Sequence, residues 1–258
     1  MEPKIEELKT WARQAGSILR DLYGKRHQIH HKGLVDLVTE ADHKSEEYLL
    51  SEIRQHYPSH AIITEESGNF EGQVDHCWFI DPLDGTINYA HDVPFFAVSL
   101  AYAEHGQMQA GVVYNPMSDE CFSAERGHGA YLNDEPIHVS EITDLIQSLL
   151  VTGFPYDAHN AIHNNLDNFN RLTRRSQGVR RFGSAALDLS FIAAGRLDGY
   201  WEIKLSPWDL AAGVLIVEEA GGVVTNMEGD PNVMQTPYSV LAANPAIYPL
   251  LLAALHEA

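Results

Sequence analysis

Cysteine is nearly absent from this chain. Cys77 and Cys121 are too few for a disulfide framework and lack C-x-x-C spacing, so both are expected as buried, inert thiols in a reducing cytoplasm. Basic side chains are scarce as well. Seventeen Lys and Arg stand against 36 Asp and Glu, a formal net charge of −19. That balance argues against nucleic acid or an anionic membrane as the main partner, because those surfaces attract basic patches. No apolar run reaches membrane-spanning length, and the charged start, Met1-Glu2-Pro3-Lys4-Ile5-Glu6-Glu7, argues against a secretory segment. What is present is 258 residues at 45% hydrophobic, enough to bury a proper core in one large domain or two modest ones. The acid excess suits cations, although much of it is expected as solvated surface.

The densest stretch is Trp78-Phe79-Ile80-Asp81-Pro82-Leu83-Asp84-Gly85-Thr86-Ile87-Asn88-Tyr89. The apolar Trp78, Phe79 and Ile80 read as the end of a buried strand, with Pro82 holding Asp81 extended and stopping the strand there. Gly85 and Thr86 allow a sharp turn into a short helix, whose unpaired N–H groups would point where the two carboxylates point. Taken alone, Asp-Pro-x-Asp-Gly is accounted for better by ordinary turn chemistry, so the surroundings must decide.

Upstream, the periodicity predicts an amphipathic helix from residue 4 to about 28, followed by a histidine-rich connector that reads as solvated loop. Thr39 and Asp42 have capping-box spacing before a second helix ending at Pro58. Asp42 is thereby available either as a cap or as a group projecting into a site. Ala61 to Thr64 reads as a short strand delivering Glu65 and Glu66 at its tip. Downstream, residues 94–102 and 108–114 predict a hairpin turned at Glu104-His105-Gly106-Gln107, and the meander continues through Leu132. Residues 1–144 thus form an α+β half with an antiparallel sheet. From residue 145 to 258 strands and helices alternate, the pattern of an α/β half with its own helices. Two helices there open on chemistry-bearing starts: Gly183-Ser184-Ala185, where Ser184 also suits an N-cap, and Pro207-Trp208-Asp209, where Asp209 also suits the helix dipole.

Glu65, Asp81, Asp84 and Asp209 all stand where a strand ends or a helix begins. Four converging carboxylates repel strongly without cations. An oxygen-only ligand set favours Mg²⁺, with Mn²⁺ as an alternative, and Mg²⁺ characteristically works with substrate phosphate.

With these residues in view, the chain resembles the inositol monophosphatase family, within the wider group of lithium-sensitive, Mg²⁺-dependent phosphatases. The matching pieces are Asp36-Leu-Val-Thr39-Glu-Ala-Asp42, Glu65-Glu66-Ser67, Trp78 to Tyr89, Gly183-Ser-Ala185 and Trp208-Asp209-Leu-Ala-Ala-Gly213, in family order. The resemblance implies an α/β fold, the layered αβαβα sandwich of the inositol monophosphatase and fructose-1,6-bisphosphatase type. It implies a phosphomonoesterase acting on inositol 1-phosphate or a similar polyol phosphate through direct attack of a metal-activated water. Two or three Mg²⁺ per site are implied, inhibition by Li⁺, and a homodimer. Glu65, Asp81 and the Leu83 carbonyl would hold the first metal, Asp81, Asp84 and Asp209 the second, and Glu65 with waters a third. Thr86, hydrogen-bonded to Asp42, would orient and help deprotonate the water. The N–H groups of Gly85 and Thr86 would hold phosphate, with Lys32 adding charge. Asp84, Gly183, Ser184, Ala185, Glu202 and Asp209 would line the alcohol side. Arg180, Arg181 or Lys204, if one faces the pocket, would bind a second phosphate and favour fructose 1,6-bisphosphate or a phosphoadenosine phosphate, while NADP and histidinol phosphate stay open by the resemblance. Some bacterial relatives are also accessory factors of transcription complexes, which leaves a protein-binding role as the non-enzymatic alternative.

Overall fold

The computed structural model describes residues 2–25, 30, 31 and 37–257. Lys32, Asp36 and most of the histidine-rich connector lie outside the described residues. The chain runs α1 (Ile5–Leu22), a two-stranded ribbon of β1 (His30–His31) and β2 (Leu37–Val38), and α2 (Glu40–His56). There follow β3 (His60–Thr64), β4 (Gly68–Phe70), β5 (Gln73–Asp84), α3 (Thr86–Ala90), β6 (Ala97–Glu104), β7 (Gln107–Asn115), β8 (Glu120–Glu125), β9 (Ala130–Leu132) and β10 (Glu135–Ile137). After a 3₁₀ turn come β11 (Leu149–Thr152), α4 (Leu166–Thr173), β12 (Gly178–Arg180), α5 (Ala185–Ala193), β13 (Gly199–Ile203), α6 (Pro207–Glu219), β14 (Val223–Thr225), β15 (Ser239–Ala243) and α7 (Tyr248–His256).

Strands β3 to β10 form an eight-stranded sheet in the order β10-β9-β8-β7-β6-β5-β3-β4, and β11 to β15 a five-stranded sheet in the order β12-β11-β13-β15-β14. Helices α1 and α2 cover one face of the larger sheet. Helices α5 and α6 pack between the sheets, and α4 and α7 cover the far side of the smaller one, giving five layers. The three apolar clusters follow from this layering. Leu8, Trp11, Ala12, Ala15 and Leu19 of α1 supply the helical stripe for the first, against Trp78, Ile80 and Tyr102. The inter-sheet cluster reads differently: α6 is apolar nearly all round, with Leu210 to Val217 buried, as a helix between two sheets must be.

Helix α1 ends at Leu22, short of the expected residue 28, and two further sequence expectations are overturned. The larger sheet is mixed, because β3 pairs parallel with β5. The helix before β3 and the β4 excursion after it bring the chain back to start β5 at the same end, which no local pattern in either strand encodes. Strand β5 also does not stop at Pro82. Its ladder to β6 passes from the Asp81–Ser99 pair to the Asp84–Ala97 pair through a register shift, and that irregularity absorbs the residue with no N–H to donate. The expected hairpin is present, with His105 and Gly106 both at positive φ in its two-residue turn.

Candidate functional site

The irregular end of β5 is held from several directions. Leu83 N donates to Asp81 Oδ1 (3.0 Å), the local Asx bond that Asp-Pro-x permits, and Ser45 Oγ of α2 donates to Pro82 O (2.8 Å). Gly85 then turns the chain into α3 at φ 95°; a Cβ there would meet Phe95 O at 3.1 Å and Gly183 O at 3.3 Å, so both dihedral and space require glycine. Asn88 donates through Nδ2 to Phe95 O (2.8 Å) and Phe182 O (2.7 Å), fastening α3 beside the Gly183 turn that opens α5.

Because β3 and β5 are parallel, their C-terminal ends share one edge, and Glu65 follows Thr64 there. Glu46 of α2 secures this tip: its carboxylate accepts from Thr64 Oγ1 (2.6 Å), Glu66 N (3.2 Å), Ser67 N (3.0 Å) and Ser67 Oγ (2.5 Å). Glu65, Asp81, Leu83, Asp84, Gly85, Thr86 and Asp209 line one pocket. Asp209 is both things its sequence suggested, since Oδ2 accepts from Ser206 N (2.7 Å) as an α6 capping group while the residue faces the pocket. Burial first, then Glu65, Asp84 and Asp209, drive the Asp81 carboxyl well above the usual carboxylate range. Asp209 is raised well above it by burial and by Asp84 and Glu65. Asp84 is pushed up to about 6 by burial, against the pull of Ser184 and the Ala186 and Ala185 amides.

Among the described residues no three His, Cys, Asp or Glu side chains already close around a common point at ligand distance. The donor chemistry nonetheless fits hard divalent cations. The pocket is lined by four carboxylates with the hydroxyl-bearing Thr86, Tyr156 and Ser206 and by no His or Cys, and protein donors engage one oxygen of each aspartate: Asp81 Oδ1, Asp84 Oδ2 and Asp209 Oδ2. Carboxyls whose protons are held by burial first, and for Asp81 and Asp209 by neighbouring acids as well, mark a site whose charged form needs a cation.

Beside this pocket Thr86 Oγ1 lies 3.1 Å from Asp42 Oδ1 and 3.0 Å from Leu83 O. Asp42, fully buried, also accepts from Thr39 N (2.9 Å) and Thr39 Oγ1 (2.6 Å), so the expected capping box and the expected contact with Thr86 coexist through its two oxygens. Burial raises Asp42, and these donors oppose the rise.

A second compartment adjoins the first, sharing Asp84, Gly85, Thr86, Tyr156, Ser206 and Asp209 with it. Gly183, Ala185 and Glu202 line it, and Ser184 Oγ stands behind, donating to Asp84 Oδ2 (2.5 Å) and capping α5. Glu202 Oε2 accepts from Tyr200 OH (2.6 Å), and burial lifts its carboxyl to about 7. Arg181 and Lys204 line this compartment, whereas Arg180 is exposed elsewhere. Asp188 stands nearby, its Oδ1 buried without a hydrogen-bond partner; burial and then Glu202 and Asp84 push it well above the usual range.

The site therefore gathers Asp42, Glu65, Asp81, Leu83, Asp84, Gly85, Thr86, Gly183, Ser184, Ala185, Glu202 and Asp209. Lys32 lies outside the described residues. Sequence reasoning passed over Ser45, Glu46, Gly153, Tyr156 and Tyr200. Glu46 had one available signal, an acid on the inward face of an amphipathic helix; the others had none.

The whole chain, residues 1–258, matches the model of the inositol monophosphatase family. It is 48% identical over 259 residues to an inositol-1-monophosphatase of Synechocystis sp., covering 96% of this chain and 90% of that protein. It is 42% identical over 260 residues to the Nus factor SuhB of Escherichia coli K12, covering 100% and 97%. The crystal structure of the extragenic suppressor protein suhB from Bartonella henselae superposes with a TM-score of 0.92 at 39% identity, covering 98% of each chain.

Proposed function

The chain belongs to the inositol monophosphatase family, and on that premise we propose that it is a Mg²⁺-dependent phosphomonoesterase releasing inorganic phosphate from inositol 1-phosphate or a similar polyol phosphate. The observation that carries this reading is the convergence of Asp81, Asp84, Asp209 and Glu65 on one pocket beside the Thr86–Asp42 pair. Glu65, Asp81, Asp84, Asp209 and the Leu83 carbonyl are the groups that would hold the metal. Divalent cations bound there supply Lewis acidity, offsetting phosphate charge and making water easier to deprotonate.

The chain's own residues do the rest. The Thr86 hydroxyl has one hydrogen, and giving it to Asp42 leaves its lone pairs to accept from the attacking water, aligning that water on phosphorus. The Gly85 and Thr86 N–H groups, at the turn opened by the positive φ of Gly85, bind phosphate oxygens. Asp84, Ala185, Glu202 and Asp209 face the alcohol, with Ser184 holding Asp84 from behind. Glu202, oriented by Tyr200, accepts from a polyol hydroxyl, which favours inositol 1-phosphate over the bisphosphates and nucleotides among other members' substrates. Inhibition by Li⁺ and a homodimeric assembly belong to the same proposal.

A second reading, an accessory factor of a transcription complex, is favoured by the 42% identity to a protein named as a Nus factor. The two roles are separable. A phosphate-release panel over inositol 1-phosphate, fructose 1,6-bisphosphate, phosphoadenosine phosphate, NADP and histidinol phosphate, with and without Mg²⁺, tests the first. Mg²⁺-dependent turnover led by inositol 1-phosphate supports it, and silence on every ester leaves the accessory role standing alone.

A further inference from the structure

The loop from Gly153 to Asn165 lines the site with Gly153, Phe154, Pro155 and Tyr156, and its base is firmly fixed. Asn165, 5% exposed, donates through Nδ2 to Thr152 Oγ1 (2.8 Å) and Gly153 O (2.7 Å) and accepts at Oδ1 from Trp201 Nε1 (2.7 Å). Pro155 sets its own φ and favours an extended Phe154, whose ring packs 5.7 Å from that of Phe169. Tyr156 follows, and it lines both the acid pocket and the alcohol-side compartment. The next residue, Asp157, is tied to β13's end by a bidentate ion pair, Lys204 Nζ to Asp157 Oδ2 (2.8 Å) and Oδ1 (3.0 Å).

Lys204 holds this pair from a left-handed backbone, φ 57°, where a side chain is strained and glycine is not. An exposed ion pair adds little to stability. A strained lysine serving such a pair is explained better by what the pair positions than by the stability it confers.

We propose that Tyr156 is a specificity-determining residue whose ring takes the apolar face of a cyclic alcohol on the leaving side of the phosphate ester, and that Lys204 and Asp157 form the latch that positions it. The inference rests on the phosphatase reading above. An aromatic face carries negative quadrupole charge that suits the polarised C–H groups of a polyol ring, and an acyclic alcohol presents no such face. Glu202, which lines the same compartment, then meets the hydroxyls.

The test compares kcat and KM for inositol 1-phosphate and for glycerol 2-phosphate. Tyr156→Ala is expected to lower the cyclic-to-acyclic ratio of kcat/KM by about tenfold, the loss falling on KM. Lys204→Gly and Asp157→Asn are expected to lower it in the same direction by about threefold, and high salt to do likewise to the unaltered protein. Lys204→Gly removes the backbone strain, so its thermal midpoint should not fall, and the charge-exchanged pair Lys204→Asp with Asp157→Lys should recover part of the ratio. If Lys204 instead gripped the substrate, Asp157→Asn would free it and lower KM, which overturns the latch. Hydrolysis of both esters with a ratio unchanged in Tyr156→Ala overturns this inference alone. Hydrolysis of neither ester by the unaltered protein overturns the phosphatase reading and this inference with it.

Discussion

The Glu202 carboxylate fills the space in which a side chain at Gly153 would begin: a Cβ on residue 153 would stand 2.0 Å from both Oε1 and Oε2. The contact joins the start of the Gly153 to Asn165 loop to the end of β13, and it makes the glycine a condition of the acid's position. Gly153→Ala must displace Glu202 from its bond with Tyr200. Steady-state kinetics on inositol 1-phosphate should show KM raised about tenfold, the loss expected for one hydrogen bond to a charged group, and Glu202→Ala should add little on top.

Thr86 and Asp42 act as a unit across 3.1 Å. Thr86→Ala should lower kcat by a factor on the order of 10² or more with little change in KM, as loss of an oriented proton acceptor does. Thr86→Ser, which restores the hydroxyl, should recover most of it; equal losses in both variants would count against the proton role.

The acids of the pocket couple cation binding to stability. Asp81, Asp84 and Asp209 have folded-state values above their unfolded ones, Asp84 at about 6. A raised carboxyl stabilises the fold at low pH, and that contribution is lost as pH rises through the folded value. Calorimetry in chelator should therefore show the metal-free protein losing stability as pH climbs through about 6. Added Mg²⁺ should raise the melting temperature above that pH in a concentration-dependent way, and much less in Asp209→Asn.

His60 gives the opposite dependence. It is 8% exposed, accepts at Nδ1 from Trp78 Nε1 (3.1 Å), and stacks on His76 at 4.7 Å, a setting that favours neutral imidazole. Burial first, then His76, hold its value below that of a free histidine. The unfolded chain then takes up the proton first, so stability is lost as pH falls below about 6.5. Melting temperatures of the protein and of His60→Gln between about pH 7 and 5 should converge on acidification; parallel curves would refute it.

Much of this site was legible because its residues announce themselves locally. Proline and glycine mark Asp81 to Thr86, a cap signature marks Thr39 with Asp42, and small residues mark Ser184 and Ala185. Pro82 misled about the strand end, since a bulge next to β6 accommodates a proline that a regular ladder would not. Three-residue strands such as β4 and β10 carry too little periodicity to be seen. Gly153 and Asn165 owe their roles to partners far along the chain, and spacing holds no trace of those contacts, whereas Glu46 shows only as an acid on the inward face of its helix.

The central claim is that the Asp81, Asp84 and Asp209 pocket hydrolyses phosphate esters through bound divalent cations. Initial rates of phosphate release from inositol 1-phosphate, measured for the protein and for Asp84→Asn with Mg²⁺ and with chelator, test it most directly. The account predicts turnover that Mg²⁺ restores after chelation, and a fall of about a hundredfold or more in Asp84→Asn with its circular dichroism unchanged, the loss of several kcal/mol of charge stabilisation. Full activity in Asp84→Asn, or turnover indifferent to chelator, would contradict it.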